Sequence, residues 1–522
     1  MNIIFKVYSK LSVLFCKIKY IIYFNIFLNV LLINYLYYKV YNVLNNKLAL
    51  VLNYSIKLNG CVIIKLMQWL NTHLELVFIN SSNYDFLSKL FSHFYEDCPI
   101  HELKYTKDLF FKEFGVAFDD YFELDNSFSI KSGSVAQVYK ALLKNNSNTN
   151  SVAIKVVHPE IEYQLICPFS FIKIYTYLVT NFKCLKKYDI IVDLDSFFCN
   201  LKKQINMENE YKNNEYFYNT YCNNNIIIIP KPLMKSKNFL IMEFVDGEQF
   251  EKMDISDYKK QIIVSFLAIF IKDTFINGKY VHCDLHQANW KIYKQINNNK
   301  NKNNENENKN NENVNENETD FNYKIIIYDF GYVIENTLSD TVKNICYFLD
   351  TNNIDGIGNI LFNNIKNIKN ITNDFSNNSY KEYFLAKYKK HNVMAYPFSD
   401  NIITISINFC YINGYKLNND LLDYFISVIL LNKHFKKYLF LNCVDLGFDE
   451  KKTYSKYVYN INMFYISICE KYNVFSNIKE FLYSTYIYNP HFSASITYTN
   501  NYFNSLKKNS DIISLNHNAI DI

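Results

Sequence analysis

One pair of sequence runs restricts the fold of this chain more than any other feature. The first is Val281-His282-Cys283-Asp284-Leu285-His286-Gln287-Ala288-Asn289, and the second is Ile325-Ile326-Ile327-Tyr328-Asp329-Phe330-Gly331. Between them lies 297–318, built almost wholly of Asn, Lys and Glu, with too little apolar surface to offset the entropy of ordering it. It reads as a disordered insertion in a surface loop, tolerated because loop-closure entropy grows only logarithmically with length. The flanking residues are therefore nearly contiguous, and Asn289 and Asp329 stand a strand-turn-strand apart. A fold that obeys this must bring two carboxylates and an amide to one point.

Those residue types in that order suit phosphoryl transfer. It needs a carboxylate near the attacking hydroxyl, for which Asp284 is the candidate. It also needs oxygen ligands for Mg2+ bridging the phosphates of ATP, for which Asn289 and Asp329 are candidates. His282 and His286 at this spacing could be taken for a metal pair, but the segment sits between strands with no third ligand nearby, so a structural role is the better reading. Upstream, Val152-Ala153-Ile154-Lys155 places Lys155 on a strand, where its amine can pair the α- and β-phosphates. A helix holding Glu208, Glu210 and Glu215 offers the carboxylate that Lys155 requires, and Glu210 is the choice. Asp284, Lys155 and Glu210 form the expected catalytic set. Before Lys155, the stretch Ile130–Tyr139 stands where a phosphate-covering loop belongs. The nucleotide-binding residues expected are Ser132, Gly133, Ser134, Val135, Ala136, Val138 and Lys155, with Glu243 and Val245. This loop has a single glycine, so nucleotide handling should differ from that of ordinary kinases. After Gly331 there is no long activation segment and no Ala-Pro-Glu. Helical spacing resumes at Leu338, Val342, Ile345 and Leu349 with Ser339 as a candidate N-cap, and docking of a peptide substrate is not expected.

The organisation agrees with this chemistry. At 522 residues, 49% hydrophobic and 20% charged, the chain is long enough for two to four units or for one two-lobed enzyme with extensions. The periodicity predicts helix from about 54 to 118, strands at 135–139 and 152–157, helix at 194–218, and strands at 226–229 and 239–244. Helices dominate from 255, interrupted by strands at 290–293 and 323–328. This is the α+β order of a protein-kinase-like fold: a small β-rich N-lobe before a larger helical C-lobe, preceded by a helical extension. The boundaries read as 1–50 for a targeting or membrane-associated segment, 51–125 for the extension, 126–250 for the N-lobe, 251–495 for the C-lobe, and 496–522 for a loosely ordered tail. The polar tract 145–151 reads as a hairpin loop.

Charge narrows the partners. The 55 basic residues are all lysine, and with 50 acidic residues they leave a formal net charge of +5. Without arginine forks a nucleic-acid partner is not expected. The 12 cysteines include no Cys-x-x-Cys pair and read as reduced, packed thiols. No Asp or Glu occurs from Met1 to Leu74; Lys6, Lys10, Lys17 and Lys19 precede an uncharged stretch from Tyr20 to Tyr38 that Lys39 closes. Such a segment fits an organelle-import sequence with membrane association. Whether it spans a bilayer stays open, because Asn25, Asn29 and Asn34 lower the insertion gain, and a buried apolar helix is the third reading.

Taken jointly these residues resemble the UbiB family of atypical kinases, also called aarF-domain-containing kinases, over roughly 57–448. Ser134-Val135-Ala136-Gln137-Val138 is similar to the family's alanine-rich loop. Ile154-Lys155-Val156-Val157-His158-Pro159 is similar to its Val-Lys-Val-x-His-Pro, and 282–289 to its His-Ala-Asp-x-His-Pro-Gly-Asn. Lys65-Leu66-Met67-Gln68, followed by Trp69, is similar to its Lys-x-Gly-Gln element, which lies over the nucleotide pocket. The resemblance implies that Lys65 and Gln68 gate the site. Met67 in place of the glycine, Gln204-Ile205-Asn206 in place of the family's Glu-x-Asp, and Gln287-Ala288 in place of Pro-Gly depart from the pattern and put the gating and any metal role at 204–206 in question. The family implies ATP and Mg2+ as cofactors, an ATPase-like activity, and support of ubiquinone or related prenyl-lipid metabolism. It also implies attachment to the mitochondrial inner membrane or to a plastid-like organelle, with membrane or lipid-pathway proteins as partners. Two alternatives stand beside this: a nucleotide-binding pseudokinase scaffold, and a small-molecule kinase of the choline- or aminoglycoside-kinase type.

Overall fold

The computed structural model of the protein describes residues 2–41, 43, 45–78, 98–144, 151–182, 194–295, 322–350, 354–366 and stretches between 379 and 487. The insertion 297–318, the tract 145–150 and the tail 496–522 lie outside the described residues.

The fold begins with three helices, α1 (Asn2–Tyr41), α2 (Asn46–Asn59) and α3 (Cys61–Phe78). Asn45 caps α2 by accepting from the Lys47 and Leu48 N–H groups. Gly60, at φ +75°, makes the turn into α3, a conformation glycine adopts without a Cβ penalty. The boundary expected at 50/51 therefore falls inside α2. The asparagines that count against membrane insertion are satisfied locally. Asn25 and Asn29 donate to the carbonyls four residues back, and Asn34 donates to Val30 and to Leu48 of α2. Over Leu11–Tyr41, α1 is long and apolar enough to cross a membrane.

Two short helices, α4 (Leu103–Phe114) and α5 (Phe118–Tyr121), lead into the N-lobe sheet. Its strands are β1 (Phe122–Leu124), β2 (Lys131–Ser132), β3 (Ala136–Leu143), β4 (Ser151–Val157), β6 (Pro232–Lys235) and β7 (Phe239–Glu243), ordered β1-β3-β4-β7-β6 with β2 on β3. All pairs are antiparallel. Strand alternation sorts the β-branched residues of β4: Val152, Ile154 and Val156 pack with Phe110 and Phe118 of α4 and α5 on one face. Ala153 and Val157 pack on the other face, against Ile64 and Met67 of α3 and Phe198 and Leu201. Lys155 shares that second face.

Between β4 and β6 run α6 (Ile161–Gln164), α7 (Ile166–Asn181), α8 (Leu194–Gln204) and α9 (Met207–Tyr221), then β5 (Ile227–Ile228). The single helix expected over 194–218 is two. Asn206, in extended conformation, caps α9 by accepting from the Glu208 N–H, which stops α8 and restarts the chain in a new direction. Helices α6 and α7 were not expected.

The C-lobe is built on α10 (Asp257–Ile276), buried on nearly all sides from Gln261 to Ile271, as a central helix must be. Around it stand β8 (Tyr280–His282), β9 (Trp290–Lys294), β10 (Tyr323–Ile327), β11 (Val333–Glu335) and α11 (Ser339–Asp350). Strands β9 and β10 pair antiparallel with Lys294 opposite Tyr323, and β8 pairs with β11. Ser339 opens α11, yet its hydroxyl donates to the Ile276 carbonyl rather than capping; Asn336 accepts from the Leu338 N–H instead. A small antiparallel lobe and a larger helical lobe, preceded by helices, make this the α+β kinase-like fold.

Candidate active site

Lys155 is placed by the β4–β7 ladder, where it faces Leu240. Its Nζ lies 2.7 Å from Glu210 Oε1 and 3.1 Å from Asp329 Oδ1. Of the three glutamates considered, Glu210 in the first turn of α9 is the one that reaches it. The negative side chain at a helix start also suits the helix dipole. Burial alone would lower the Lys155 amine, but the charges of Asp329 and Glu210 outweigh it and hold the amine cationic. Burial pushes Glu210 up to about 7 against the pull of Lys155. Asp329 goes the other way: burial would raise it, and Lys155 and Lys65 hold it well below the usual carboxylate range.

Asp329 sits at φ +50°, a left-handed conformation rare outside glycine. Several contacts hold it there. The Gly331 N–H donates to its Oδ1 at 3.1 Å, and Asn213 of α9 donates to the Phe330 carbonyl. Phe330 stacks on Phe217 of α9 at 5.0 Å between ring centroids. His282 completes the support. Its Nδ1 accepts from the Asp284 N–H, so the proton sits on Nε2, which donates to the Asp329 carbonyl at 3.0 Å. The histidine expected to be structural is thus the brace of the Asp-Phe-Gly turn, and burial lowers its pKa, keeping that tautomer neutral.

Asn289 donates its amide nitrogen to the Asp284 carbonyl at 2.7 Å. That commits nitrogen inward and leaves the amide oxygen as the donor for a hard cation. Oxygens from Asn289 and Asp329 fit magnesium, which takes one or two protein ligands and completes its shell with phosphates and water. Asp284 meets Lys65 of α3 at 3.1 Å and His286 at 3.9 Å. Burial would raise its carboxyl, but these two neighbours lower it. Gln68 and Met67 are buried on the same helix. Met67 joins the N-lobe core, so α3 is seated by apolar packing where the family pattern has glycine. Asn206 is spent on capping α9, and Gln204 is buried nearby.

The loop Ser132–Ala136 closes on itself, with the Gly133 N–H donating to the Ala136 carbonyl at 3.0 Å. Ser132 turns its hydroxyl to the Pro99 carbonyl. Ser134 and Ala136 are buried and Val135 and Val138 pack against the N-lobe core. The loop is held from behind by a polar chain that carries no motif. His158 Nε2 is 3.0 Å from the Gly133 carbonyl, which can only accept. His158 Nδ1 is therefore the acceptor for His101 Nδ1–H at 3.0 Å, and His101 Nε2 accepts from the Thr106 hydroxyl at 3.0 Å. Tyr139 and Gln137 continue the chain. At the far end of β7, the Glu243 N–H donates to Lys231 and the Phe244 N–H to Ser151. The Tyr328 hydroxyl donates to the Val245 carbonyl. The Glu243 side chain is exposed. His101 and Tyr328 escaped sequence reasoning; Tyr328 could have been suspected from its place before Asp329, whereas nothing local marks His101.

Comparison with known proteins gives the family. The model of the ABC1 atypical kinase-like domain matches residues 94–355. The chain is similar to the uncharacterized protein slr0889 of Synechocystis, 28% identical over 35% of this chain and 48% of the relative. It is similar to the ABC1 family protein MCP2 of Saccharomyces cerevisiae, 25% identical over 47% of this chain and 43% of the relative. The mitochondrial ABC1 family protein C21C3.03 of Schizosaccharomyces pombe is 24% identical over 45% of this chain and 38% of its own length. The chain spans less than half the length of each of these relatives. With the domain model matching half of the sequence, the chain belongs to the ABC1 (UbiB) family of atypical kinases.

Proposed function

We infer that this protein is a magnesium-ATP-dependent atypical kinase or ATPase that works in an organelle in support of ubiquinone or related prenyl-lipid biosynthesis. The observation that carries the nucleotide half is Lys155 held between Glu210 and Asp329. A cation fixed by a helix carboxylate is ready to exchange Asp329 for α- and β-phosphate oxygens, and both that ion pair and the aspartate must be in place for phosphoryl transfer. Asp284 supplies the carboxylate that orients and deprotonates the attacking hydroxyl or water. Its ion pair with Lys65 ties that group to α3. Magnesium, when bound, neutralises charge on the phosphates, and the residues that would hold it are Asn289 and Asp329. The chain from Gly331 to Ser339 is short and pairs through β11 with β8, so it offers no platform for a peptide, and water or a small hydroxyl compound is the acceptor proposed. The organelle half is supported by a relative named as mitochondrial and by the acid-free apolar α1.

The test is thermal denaturation of the full chain with and without Mg-ATP, beside Asp329→Ala. A ligand at a hundredfold excess over its Kd adds about 2.7 kcal/mol to stability. A magnesium-dependent rise in Tm in the natural protein and none in the variant is expected. No shift in either would overturn the catalytic reading and leave a kinase-fold scaffold.

A further inference from the structure

The alternation that turns Lys155 toward α3 carries His158, three residues on, to the opposite face of the sheet, where Tyr139 packs with Phe110 of α4. On that side a chain of hydrogen bonds runs to the loop Ser132–Ala136, and its two ends fix its direction. The Gln137 amide nitrogen can only donate, and it meets the Tyr139 hydroxyl at 2.5 Å; the Gly133 carbonyl can only accept. Between them the Tyr139 hydroxyl donates to Thr106, the Thr106 hydroxyl to His101 Nε2, His101 Nδ1–H to His158 Nδ1, and His158 Nε2–H to Gly133, each at 3.0 Å. The Ser132 hydroxyl, 3.4 Å from the same nitrogen of His158, is turned to the Pro99 carbonyl. Gln137 also grips the His101 backbone twice, accepting from its N–H at 2.9 Å and donating to its carbonyl at 3.3 Å. In a planar trans peptide the carbonyl and the next N–H point opposite ways. With the Gly133 carbonyl drawn to His158, the Ser134 N–H points to the face that carries Lys155, and it has no partner among the described residues. No steric contact holds that orientation: a Cβ on Gly133 would meet only the Ala136 carbonyl, at 3.6 Å, and glycine turns its peptide more freely than other residues.

We infer that His101 is a positioning residue for phosphate binding: by donating to His158 it fixes the tautomer that holds the Gly133 carbonyl behind the loop, and so aims the Ser134 N–H at the phosphates. This rests on the nucleotide reading above. Burial lowers the His158 pKa, so its ring is neutral and carries one proton, on whichever nitrogen its neighbours select. His101 Nδ1–H occupies one nitrogen as donor and leaves the proton to the other. Without that donor the proton can move to Nδ1, and Nε2 then presents a lone pair to the Gly133 carbonyl. Two facing acceptors repel, the peptide turns, and the loop offers a carbonyl oxygen where an anionic phosphate oxygen needs an N–H. His101 touches no substrate in this scheme and acts only through His158.

The experiment is direct titration of the full chain, of His101→Phe and of His101→Asn, with Mg-ATP and with adenosine, which has no phosphate to place. The first variant keeps an aromatic ring and loses the donor; in the second the amide can put an N–H where Nδ1 stands. His101→Phe is expected to weaken Mg-ATP binding by about tenfold, the order of one hydrogen bond to a charged group, with adenosine binding unchanged, and His101→Asn to recover most of that loss. A histidine that only supports the fold would weaken both ligands together. That result would overturn the proposal, as would an unchanged Mg-ATP affinity in His101→Phe. Nitrogen NMR of the labelled His158 ring in the natural protein covers the case in which the variants do not fold: the proton is expected on Nε2 alone, and a proton on Nδ1 would remove the assignment. If the natural protein binds neither Mg-ATP nor adenosine, the nucleotide reading itself fails and takes this one with it.

Discussion

Asp329 combines chemistry and backbone strain in one residue. A non-glycine at φ +50° costs on the order of 1–3 kcal/mol unless its surroundings over-determine it. Here the Gly331 N–H, the His282 brace and Lys155 do so. Asp329→Gly is therefore expected to melt higher than Asp329→Ala, by about 1 kcal/mol of stability, although both lose the magnesium-dependent response. Equal melting of the two would show that the φ angle relaxes when the carboxylate is removed. A second residue-scale consequence concerns His101. Its pKa is lowered to about 4, by burial first and by His158 second. The groups around it are the His158 ring, the Thr106 hydroxyl, the Gln137 amide and the Tyr105 ring. Below the ordinary histidine value near 6.5 the unfolded chain takes up a proton that the folded one does not. Stability from this group is complete above that value and is lost as pH falls toward 4. Protonation would also put an N–H on His101 Nε2, where it now accepts from the Thr106 hydroxyl. Tm measured from pH 7 to pH 4 should fall more steeply in the natural protein than in His101→Asn; parallel curves would remove His101 as the source.

At the scale of elements, the start of the chain is fastened to the N-lobe through one carboxylate. Glu160, at φ +61°, accepts from Cys16, Lys19 and Tyr20 of α1, and Phe24 packs edge-on against Phe171 of α7. The other side of α1 leaves Leu14, Phe15, Ile22 and Leu36 exposed. The turn between α2 and α3 is as constrained as the one at Asp329. A Cβ on Gly60 would stand 2.6 Å from the Gln164 amide oxygen, in addition to the φ that glycine alone tolerates. Gly60→Ala is expected to destabilise the protein by about 2 kcal/mol in a denaturant titration; a change under about 0.5 kcal/mol would mean that α2 and α3 can move apart without cost. Helix α7 shows why periodicity failed between 161 and 181. Ile166-Cys167-Pro168-Phe169-Ser170-Phe171-Ile172 is rich in residues with strand preference, and Pro168 is admissible only because it stands in the first turn. Packing against α1 decides the helix, and that packing comes from residues some 140 positions away. By contrast, β4, β7, β9 and β10 were readable within a residue, and β3 at its start although it runs four residues past the expected end at 139, because short β-branched runs bounded by polar turns state their own period.

For the whole molecule, the β9–β10 hairpin makes the insertion separable from the fold. Lys294 faces Tyr323 and the Gln295 N–H donates to the Asn322 carbonyl at 2.8 Å, so the two ends already meet. Replacing 296–321 by a two-residue Asn-Gly turn should shift Tm by no more than about 2 °C and leave the Mg-ATP response intact; loss of that response would assign the insertion a part in the site. What the sequence by itself determined is the list of candidate site residues and their order: Lys155, Asp284, Asn289 and Asp329 are legible because a lysine on a strand, a His-x-Asp loop and an Asp-Phe-Gly turn are local patterns that do not depend on distant residues. What only the tertiary structure decided is which groups meet. It set Lys65 on Asp284 across more than 200 residues, spent Asn206 on a helix cap, placed His101 behind the Ser132–Ala136 loop through His158, and turned the Tyr328 hydroxyl to the Val245 carbonyl. The physical reason is that side-chain partnership is fixed by packing directions in the folded lobes, and no spacing along the chain encodes those directions.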